Sequence, residues 1–271
     1  MISSLLRRYY KQSATYKIFS GILKEFYTFI ETLGKIITWG SKAALYIVKG
    51  EINFHEVIEQ CHRFGITSLP ITLSIVGMTS VIVAAQVALE MAKQGGGNFI
   101  GLLMTILIVR EVAVVMSGFA IISMIGSSIA SEIATMKVTS QTDAMKVLKI
   151  DPIRYLFVPR ILSGIFMMPV ITIIAGIVGV IAGAVTSYLS ADIGFRAFFD
   201  SAWQGIYMKD LWVSMLKAIA FGGTISLISC CCGYDAEGGA KGVGIATTKS
   251  VVWSFVAIVI WDMVFAIIFF F

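Results

Sequence analysis

The sequence predicts an all-α integral membrane protein, in which an interfacial helix near the amino terminus precedes five transmembrane helices. Three observations predict this fold class. Of the 271 residues, 58% are hydrophobic and only 14% are charged, and the mean hydropathy is +0.89, well above that of soluble globular proteins. Five apolar runs are each long enough to cross a hydrocarbon core about 30 Å thick. Lys and Arg residues are concentrated in every second connection between these runs, which is the distribution that the positive-inside rule describes.

The amino-terminal region begins with a predicted interfacial helix at residues 22–48. Its polar side chains recur every three or four positions and form one stripe along an otherwise apolar helix, which favours a position in the membrane interface. The stripe consists of Lys24, Thr28, Glu31, Lys35, Thr38 and Lys42. Residues 51–65 are polar and are expected to be a short connector. We therefore divide the chain into an amino-terminal cytoplasmic and interfacial region, 1–65, and a five-span domain, 66–271.

The five predicted spans follow the need for about 20 apolar residues per crossing. They cover approximately residues 66–89, 99–121, 155–188, 211–232 and 248–270. The first 65 residues carry nine Lys or Arg, residues 132–160 carry five and residues 233–249 carry two. The positive-inside rule therefore predicts that these three regions are cytoplasmic and that the carboxyl terminus lies on the opposite side.

Other functional classes have little support in the composition. The net charge of +5 does not indicate a nucleic-acid partner, because the basic residues lie before and between apolar runs rather than on one polar domain. Cys61 and the run Cys230 to Cys232 lack metal-ligand spacing and are expected to be packing residues. Both histidines, His55 and His62, precede the first span, so no catalytic residue and no metal ligand is predicted.

Between the second and third spans lies a polar stretch with a predicted short helix at residues 141–149. Ser140 and Asp143 have the spacing of a capping box, and Asp151-Pro152 is expected to end the helix. Nine residues give about 13 Å, too short to span a bilayer. The stretch is either a rigid docking helix for a cytoplasmic partner or an ordinary solvated loop.

Two blocks of sequence resemble the signature of the MlaE/YrbE family of ABC-transporter permeases. The first is EIATMKVTSQTDAMKVLKIDPIRYLFVPR, residues 132–160, which is similar to the family pattern E-L-G-x-M-x-V-T-E-Q-I-D-A-L followed by D-P-x-R-x-L-x-x-P-R. The second block contains the family's G-Y-x-A and G-V-G-x-A-T-T elements, at Gly233-Tyr234 and from Gly242 to Thr248. The blocks cover about a third of the chain.

The resemblance implies a permease that dimerises and binds a cytoplasmic ABC ATPase through the short helix. It also implies transport of phospholipid, or a related hydrophobic molecule, between a bacterial inner membrane and a periplasmic or membrane-anchored MCE-domain protein. The implied coupling residues are Glu132, Lys137, Gln141, Asp143, Ala144, Asp151, Pro152 and Arg160. No G-x-x-x-x-G-K-[ST] motif occurs in the sequence, so ATP and Mg²⁺ are expected on the partner ATPase and no cofactor on this chain.

The second span departs from the family pattern at two places. Where the family has R-E-L-G-P, this chain has Arg110-Glu111-Val112-Ala113-Val114, and where it has A-G-R, this chain has Ile122-Ser123-Met124. The loss of a proline and an arginine predicts that the detailed shape of this span differs from that of the family.

Four ionisable residues lie inside the predicted spans: Arg110, Glu111, Lys217 and Asp262. Each costs about 2.5–3.5 kcal/mol on insertion scales and is therefore expected to face a partner or a wet cavity. They are predicted to bind a lipid headgroup in such a cavity. The alternative is an internal salt-bridge network, such as Lys217 with Asp262, that only holds the helices together.

Two further alternatives to a lipid permease remain from sequence: an intramembrane lipid-modifying enzyme and a membrane scaffold that does not transport. Against the enzyme, both histidines precede the first span, so no intramembrane Ser-His pair can form, and no carboxylate-rich metal cluster appears in any loop. In addition, Gly179 and Gly183 form a G-x-x-x-G pattern, which permits close helix contact. This pattern is either a dimer seam or ordinary packing of a glycine-rich span.

Overall fold

The computed structural model describes residues 14–270, and all regular structure in this part of the chain is helical. Eight helices follow one another within it. They are α1 (Ala14–Val48), α2 (Phe54–Lys93), α3 (Gly97–Val138), α4 (Gln141–Val147), α5 (Ile153–Ala191), α6 (Phe195–Gln204), α7 (Met208–Tyr234) and α8 (Gly239–Phe270).

Five of these helices, α2, α3, α5, α7 and α8, are long and apolar enough to cross a membrane, which confirms the five predicted spans and the fold class. Successive spans alternate in direction, so α4 lies at one end of the bundle and α6 at the other. We call these the α4 end and the α6 end. The predicted cytoplasmic side corresponds to the α4 end.

The spans begin and end beyond the apolar runs that predicted them. Residues 54–65, expected to be a polar connector, form the first turns of α2, so that expectation was wrong. Glu56 lies in the first turn, where a negative charge is favourable, and Phe64 is buried against the bundle. The boundary drawn between residues 65 and 66 thus falls inside one helix. Only residues 49–53 connect α1 to α2.

The second span, α3, contains two stretches of π-helix that adjoin or overlap the positions where its sequence departs from the family pattern. One covers Ile108–Val112, which includes Arg110 and Glu111, and the other covers Ile122–Gly126. Single π turns inside α-helices rotate the following side chains and are frequent at functional sites. The helix continues through both stretches without an interruption.

The third span, α5, packs along α2 and α3 through its glycines. A Cβ atom at Gly179 would lie 2.7 Å from the Ser80 hydroxyl, and one at Gly183 would lie 3.4 Å from the Met104 methyl group. The G-x-x-x-G face is therefore occupied inside the chain. A dimer seam on this face, one of the two interpretations of the pattern, is not compatible with this packing.

The helices α5 and α7 cross closely at Gly164 and Gly222. A Cβ atom on either glycine would collide with the backbone carbonyl of the other, so only glycine permits this approach. Towards the α6 end the two helices separate. The residues that line the space between them are described below.

At the α4 end, α1 packs across the ends of α5 and α7. The ring of Trp39 makes edge contacts with Tyr234, at 5.2 Å between centroids, and with Phe157, at 6.4 Å. Lys35, one residue of the polar stripe, binds Asp235 at 2.7 Å, and this hydrogen bond raises the pKa of Lys35. The stripe thus contributes an ion pair to the bundle.

The α6 end carries a helix within residues 191–210, which were expected to be a loop. In α6, Phe198 and Ala202 are buried, whereas Trp203 is exposed. This spacing of apolar residues is the signature of an amphipathic helix. Gly101 of α3 and Gly205 allow α6 to lie against the backbone of α3 without intervening side chains.

Candidate functional site

The short helix α4 exists, but the predicted capping box does not. Ser140 has a φ of +60° and makes no side-chain cap hydrogen bond. Its N–H donates to the carbonyl of Lys137, because the same residue must also end α3 in a left-handed conformation. The carbonyl of Ser140 accepts hydrogen bonds from Asp143 and Ala144 and starts α4 through the backbone alone.

The expectation that Asp151-Pro152 ends the short helix was also wrong. Lys149, at φ +60°, ends α4 in a Schellman motif, with the N–H of Ile150 bonded to the Met145 carbonyl at 2.9 Å. Asp151 instead caps α5, because its carboxylate accepts the N–H of Ile153 at 2.9 Å. Pro152, directly before Ile153, costs no helix hydrogen bond, because the first N–H groups of a helix have no intrahelical partner.

The helix α4 is tied to the bundle by charges and an aromatic ring. Asp143 binds Lys146 at 2.9 Å and Lys137 at 3.6 Å, and the hydrogen bond from Lys146 together with the charge of Lys137 holds the pKa of Asp143 below its usual value. Both ammonium groups lie over the ring of Tyr234, at 5.6 and 5.8 Å from its centroid. These contacts join α3, α4 and the end of α7.

The outer face of α4 is exposed and partly apolar. Gln141 and Ala144 are exposed, and so are Val147, at 82%, and Leu148, at 71%. Two adjacent exposed aliphatic side chains on a polar connection are a candidate contact surface for another protein. Val147 and Leu148 were not among the residues predicted from sequence, although two aliphatic residues ending a short polar helix were a visible signal.

Two of the predicted coupling residues lie deeper, inside the bundle. Arg160 is 4% exposed, and its guanidinium binds Glu132 at 3.0 Å and the Leu156 carbonyl at 2.9 Å. This pair joins α3 to α5 just below the connection that carries α4. Glu132 also lies 3.8 Å from Arg63 of α2. The pair therefore braces the base of the predicted docking helix rather than its outer face.

Three of the four intramembrane charges meet at one point. The ammonium group of Lys217, whose side chain is fully buried, lies 2.7 Å from Asp262 and 3.0 Å from Glu111. The pairing of Lys217 with Asp262 foreseen as an alternative is therefore present. The two carboxylates keep part of their surface, 27% for Asp262 and 42% for Glu111.

The fourth charge, Arg110, forms a separate ion pair. Its Nε donates to Asp210 of α7 at 2.8 Å, and Asp210 is 3% exposed. Sequence reasoning missed Asp210, because it lies one residue outside the apolar run that defined the fourth span. We call the five residues Arg110, Glu111, Asp210, Lys217 and Asp262 the charge cluster. It contains two positive and three negative side chains, so its formal charge is −1.

A cavity of about 550 Å³ lies beside the charge cluster, between α3, α5, α6 and α7. None of the four residues predicted to line a lipid cavity lines this one. Its walls are apolar, whereas the charge cluster is held between α3, α7 and α8. The charge cluster and the apolar cavity are thus separate in a single chain.

Nothing in the described residues 14–270 groups three His, Cys, Asp or Glu side chains as a metal site would require. Cys230, Cys231 and Cys232 are buried in α7. His55 and His62 lie in the first turns of α2, at the α4 end.

Comparison with known proteins identifies the group that shares this sequence pattern. A family model described as Permease MlaE matches residues 57–268. The match includes both motif blocks, all five spans, α4 and the charge cluster.

Individual relatives are similar over most of the chain. A probable ABC transporter permease protein of Synechocystis sp. is 37% identical over 216 residues, 80% of this chain and 82% of the relative. A probable ABC transporter permease protein of Rickettsia prowazekii is 34% identical over 242 residues, 89% of this chain and 93% of the relative. The chloroplastic protein TRIGALACTOSYLDIACYLGLYCEROL 1 of Arabidopsis thaliana is 35% identical over 232 residues, 84% of this chain and 65% of the relative.

Proposed function

Because the chain belongs to the MlaE permease family of ABC transporters, we propose that it moves phospholipid, or a related hydrophobic molecule, across or out of its membrane. As an ABC transporter permease it is a multi-pass membrane protein, works with an ATPase partner and is not itself catalytic. The proposal adds three things: the identity of the substrate, the transfer of movement from the ATPase through α4 to the bundle, and the further partners.

The observation that carries the proposal is the helix α4. It is fixed to α3 through Lys137 and Asp143 and to α7 through Lys146 and Tyr234. It nevertheless presents Val147 and Leu148 to solvent. A rigid, exposed, partly apolar helix between two spans is suited to receive a displacement from a soluble subunit and to pass it to the bundle. The ATPase binds ATP and Mg²⁺ and docks on this face.

Lipid as the substrate has two kinds of support. The name of the Arabidopsis relative contains that of a glycolipid, trigalactosyldiacylglycerol. The present chain offers a charge cluster and an apolar cavity side by side within its spans, and an amphipathic substrate has both a polar and an apolar part. In this proposal Arg110, Glu111, Lys217 and Asp262 act on the headgroup as it passes.

The remaining parts of the proposal rest on the family resemblance. A second copy of the permease completes the transporter, and an MCE-domain protein receives or delivers the lipid on the α6 side. In a bacterium the membrane is the inner membrane, with the amino terminus in the cytoplasm and the carboxyl terminus in the periplasm. The charge distribution of the connections supports this orientation.

The test uses the permease purified with its ATPase and reconstituted into liposomes that contain a fluorescent phospholipid. We expect ATP-dependent transfer of the phospholipid to an added MCE domain. We also expect Ala144→Pro to abolish copurification of the ATPase, because proline in the middle of α4 removes a hydrogen bond and breaks the helix.

The matched control is Ala240→Pro, an exposed alanine in the first turn of α8, where proline is tolerated. It should leave copurification and transfer unchanged. ATP hydrolysis by the wild-type complex without lipid transfer would favour the scaffold alternative. Undiminished ATPase binding by Ala144→Pro would remove α4 from the docking surface.

A further inference from the structure

The cavity between α5 and α7 originates in the way these two helices cross. Their backbones touch at Gly164 and Gly222, and the helices then separate towards the α6 end. Eight residues beyond the crossing, about 12 Å along each helix axis, Thr172 and Ser214 line opposite walls of the cavity. The cavity is therefore the open part of a V-shaped helix pair.

Two further elements close the V. Thr105, Val109 and Ala113 of α3 form its floor, and Ala202 and Trp203 of α6 lie across its wide end. The volume of about 550 Å³ is within the range of small-molecule sites, about 300–1,000 Å³, and far exceeds the voids found in packed cores. The cavity is thus large enough for a ligand.

The chemistry of the walls selects the ligand. The lining is aliphatic and aromatic, and the few hydroxyl-bearing side chains, such as Thr172 and Ser214, are themselves buried. No charged side chain lines the cavity among the described residues. Such walls favour a hydrocarbon and disfavour a charged headgroup, because a charge in the cavity would have no ion-pair partner among the lining residues. The hydroxyls of Thr105 and Thr172, which make no hydrogen bond within the described part of the chain, are themselves buried.

The position and length of the cavity fit one leaflet of a bilayer. Along α5 it extends from Pro169 to Ile181, about 18 Å at 1.5 Å per residue, whereas half of a hydrocarbon core is about 15 Å. Its side opens to the lipid, since the lining residues Ile177 and Trp203 are 57% and 79% exposed. The wide end therefore lies in the leaflet on the α6 side.

We propose that this cavity is a binding site for one acyl chain of a membrane phospholipid that enters sideways from the leaflet on the α6 side. The site is distinct from the charge cluster but adjoins it, because the lining residues Val109 and Leu211 are the sequence neighbours of Arg110 and Asp210. The proposal rests on the proposed function only in taking this lipid to be the transported one.

The test is photo-crosslinking with a phosphatidylcholine that carries a diazirine in the middle of one acyl chain. The full-length permease with its ATPase is placed in nanodiscs of unlabelled phosphatidylcholine containing a trace of this probe, without nucleotide. We expect peptides 169–181 and 211–215 to be labelled at least fivefold more strongly than the lipid-exposed face of α8 around Met263.

Gly176→Leu should reduce this selective labelling at least fivefold, because Gly176 lines the cavity and has room for a side chain there. A Cβ atom at this position would lie 3.5 Å from the Ala113 methyl group, an ordinary van der Waals contact. Ile177→Trp, at the exposed rim, should have the same effect with little risk to folding. The matched control is Gly97→Leu, a glycine with no atom within 4 Å of its Cβ position, which should retain wild-type labelling.

Three outcomes would overturn the proposal. One is labelling of all lipid-facing helices in proportion to their exposure, and another is selective labelling that survives both variants. The third is absence of label from peptides 169–181 in the wild type, as expected if another protein segment fills the cavity. The labelling requires neither ATP nor transport, so a failure of lipid transfer would count against the proposed function and not against this site.

Discussion

Lys217 is buried between two carboxylates within the membrane-spanning helices, and its removal has a specific expected cost. Lys217→Met would leave Glu111 and Asp262 facing each other without the shared cation. Removing one partner of a buried ion pair typically costs roughly 3–5 kcal/mol. We therefore expect a lower yield and a lower temperature of thermal unfolding in detergent.

A double variant separates the structural role of Lys217 from a role in transport. Lys217→Met combined with Asp262→Leu removes one charge of each sign, so stability should largely return. Lipid transfer should stay low if Lys217 also acts on the headgroup. Recovery of both stability and full transfer would show that Lys217 serves the fold alone.

Tyr234 is predicted to transmit the position of α4 to α7. Its ring lies under Lys137 and Lys146 and against Trp39. Tyr234→Leu removes the aromatic face, so we expect the lipid transferred per ATP hydrolysed to fall severalfold while the ATPase still copurifies. Tyr234→Phe keeps the face and should restore the ratio; equal ratios in wild type and Tyr234→Leu would contradict this role.

Among the elements, α6 is held in place by a glycine contact that can be tested directly. A Cβ atom at Gly101 would collide with the Phe198 carbonyl, so Gly101→Ala should push α6 away from α3 and cost roughly 1–3 kcal/mol. Faster hydrogen exchange in residues 195–204 is the measurement. Gly97→Ala, in open space, is the control, and equal exchange in the two variants would show that the contact is unimportant.

The spans were predictable and their ends were not, for a physical reason. The thickness of the bilayer fixes the length of an apolar run, but a helix continues wherever its backbone hydrogen bonds remain favourable. Residues 54–65 are polar and still helical for this reason. The helix α6 could have been predicted, because Phe195, Phe198, Ala202 and Trp203 already have the spacing of a helical face.

The sequence predicts a contact in the candidate site well where an ionisable residue has few possible ion-pair partners. It predicts poorly where one residue belongs to two helices at once. With so few ionisable groups in the spans, Lys217 had few possible partners, and its pairing with Asp262 follows. Asp210 lay just outside a predicted span and was not counted. Ser140 matched a capping box, but it must end α3 in a left-handed conformation, which no local pattern for α4 contains.

For the whole molecule, the orientation in the membrane is still a prediction. In a variant without native cysteines, single cysteines at Gly96 and Ala197 should react with an impermeant thiol reagent from the periplasmic side. Cysteines at Lys146 and Lys241 should react only after the membrane is opened. Labelling of Lys146 from outside in intact cells would reverse the orientation and remove α4 from the reach of a cytoplasmic ATPase.

The glycine crossing of α5 and α7 also determines how far one end of α7 moves when its other end is displaced. Leu211, at the cavity, lies eleven residues from Gly222, about 17 Å, and Tyr234 lies twelve residues from it on the other side, about 18 Å. The crossing thus divides α7 into two lever arms of nearly equal length. If α7 rotates as a rigid body about this fulcrum by about 10°, both ends move by about 3 Å in opposite directions, so the helix transmits displacement without amplifying it.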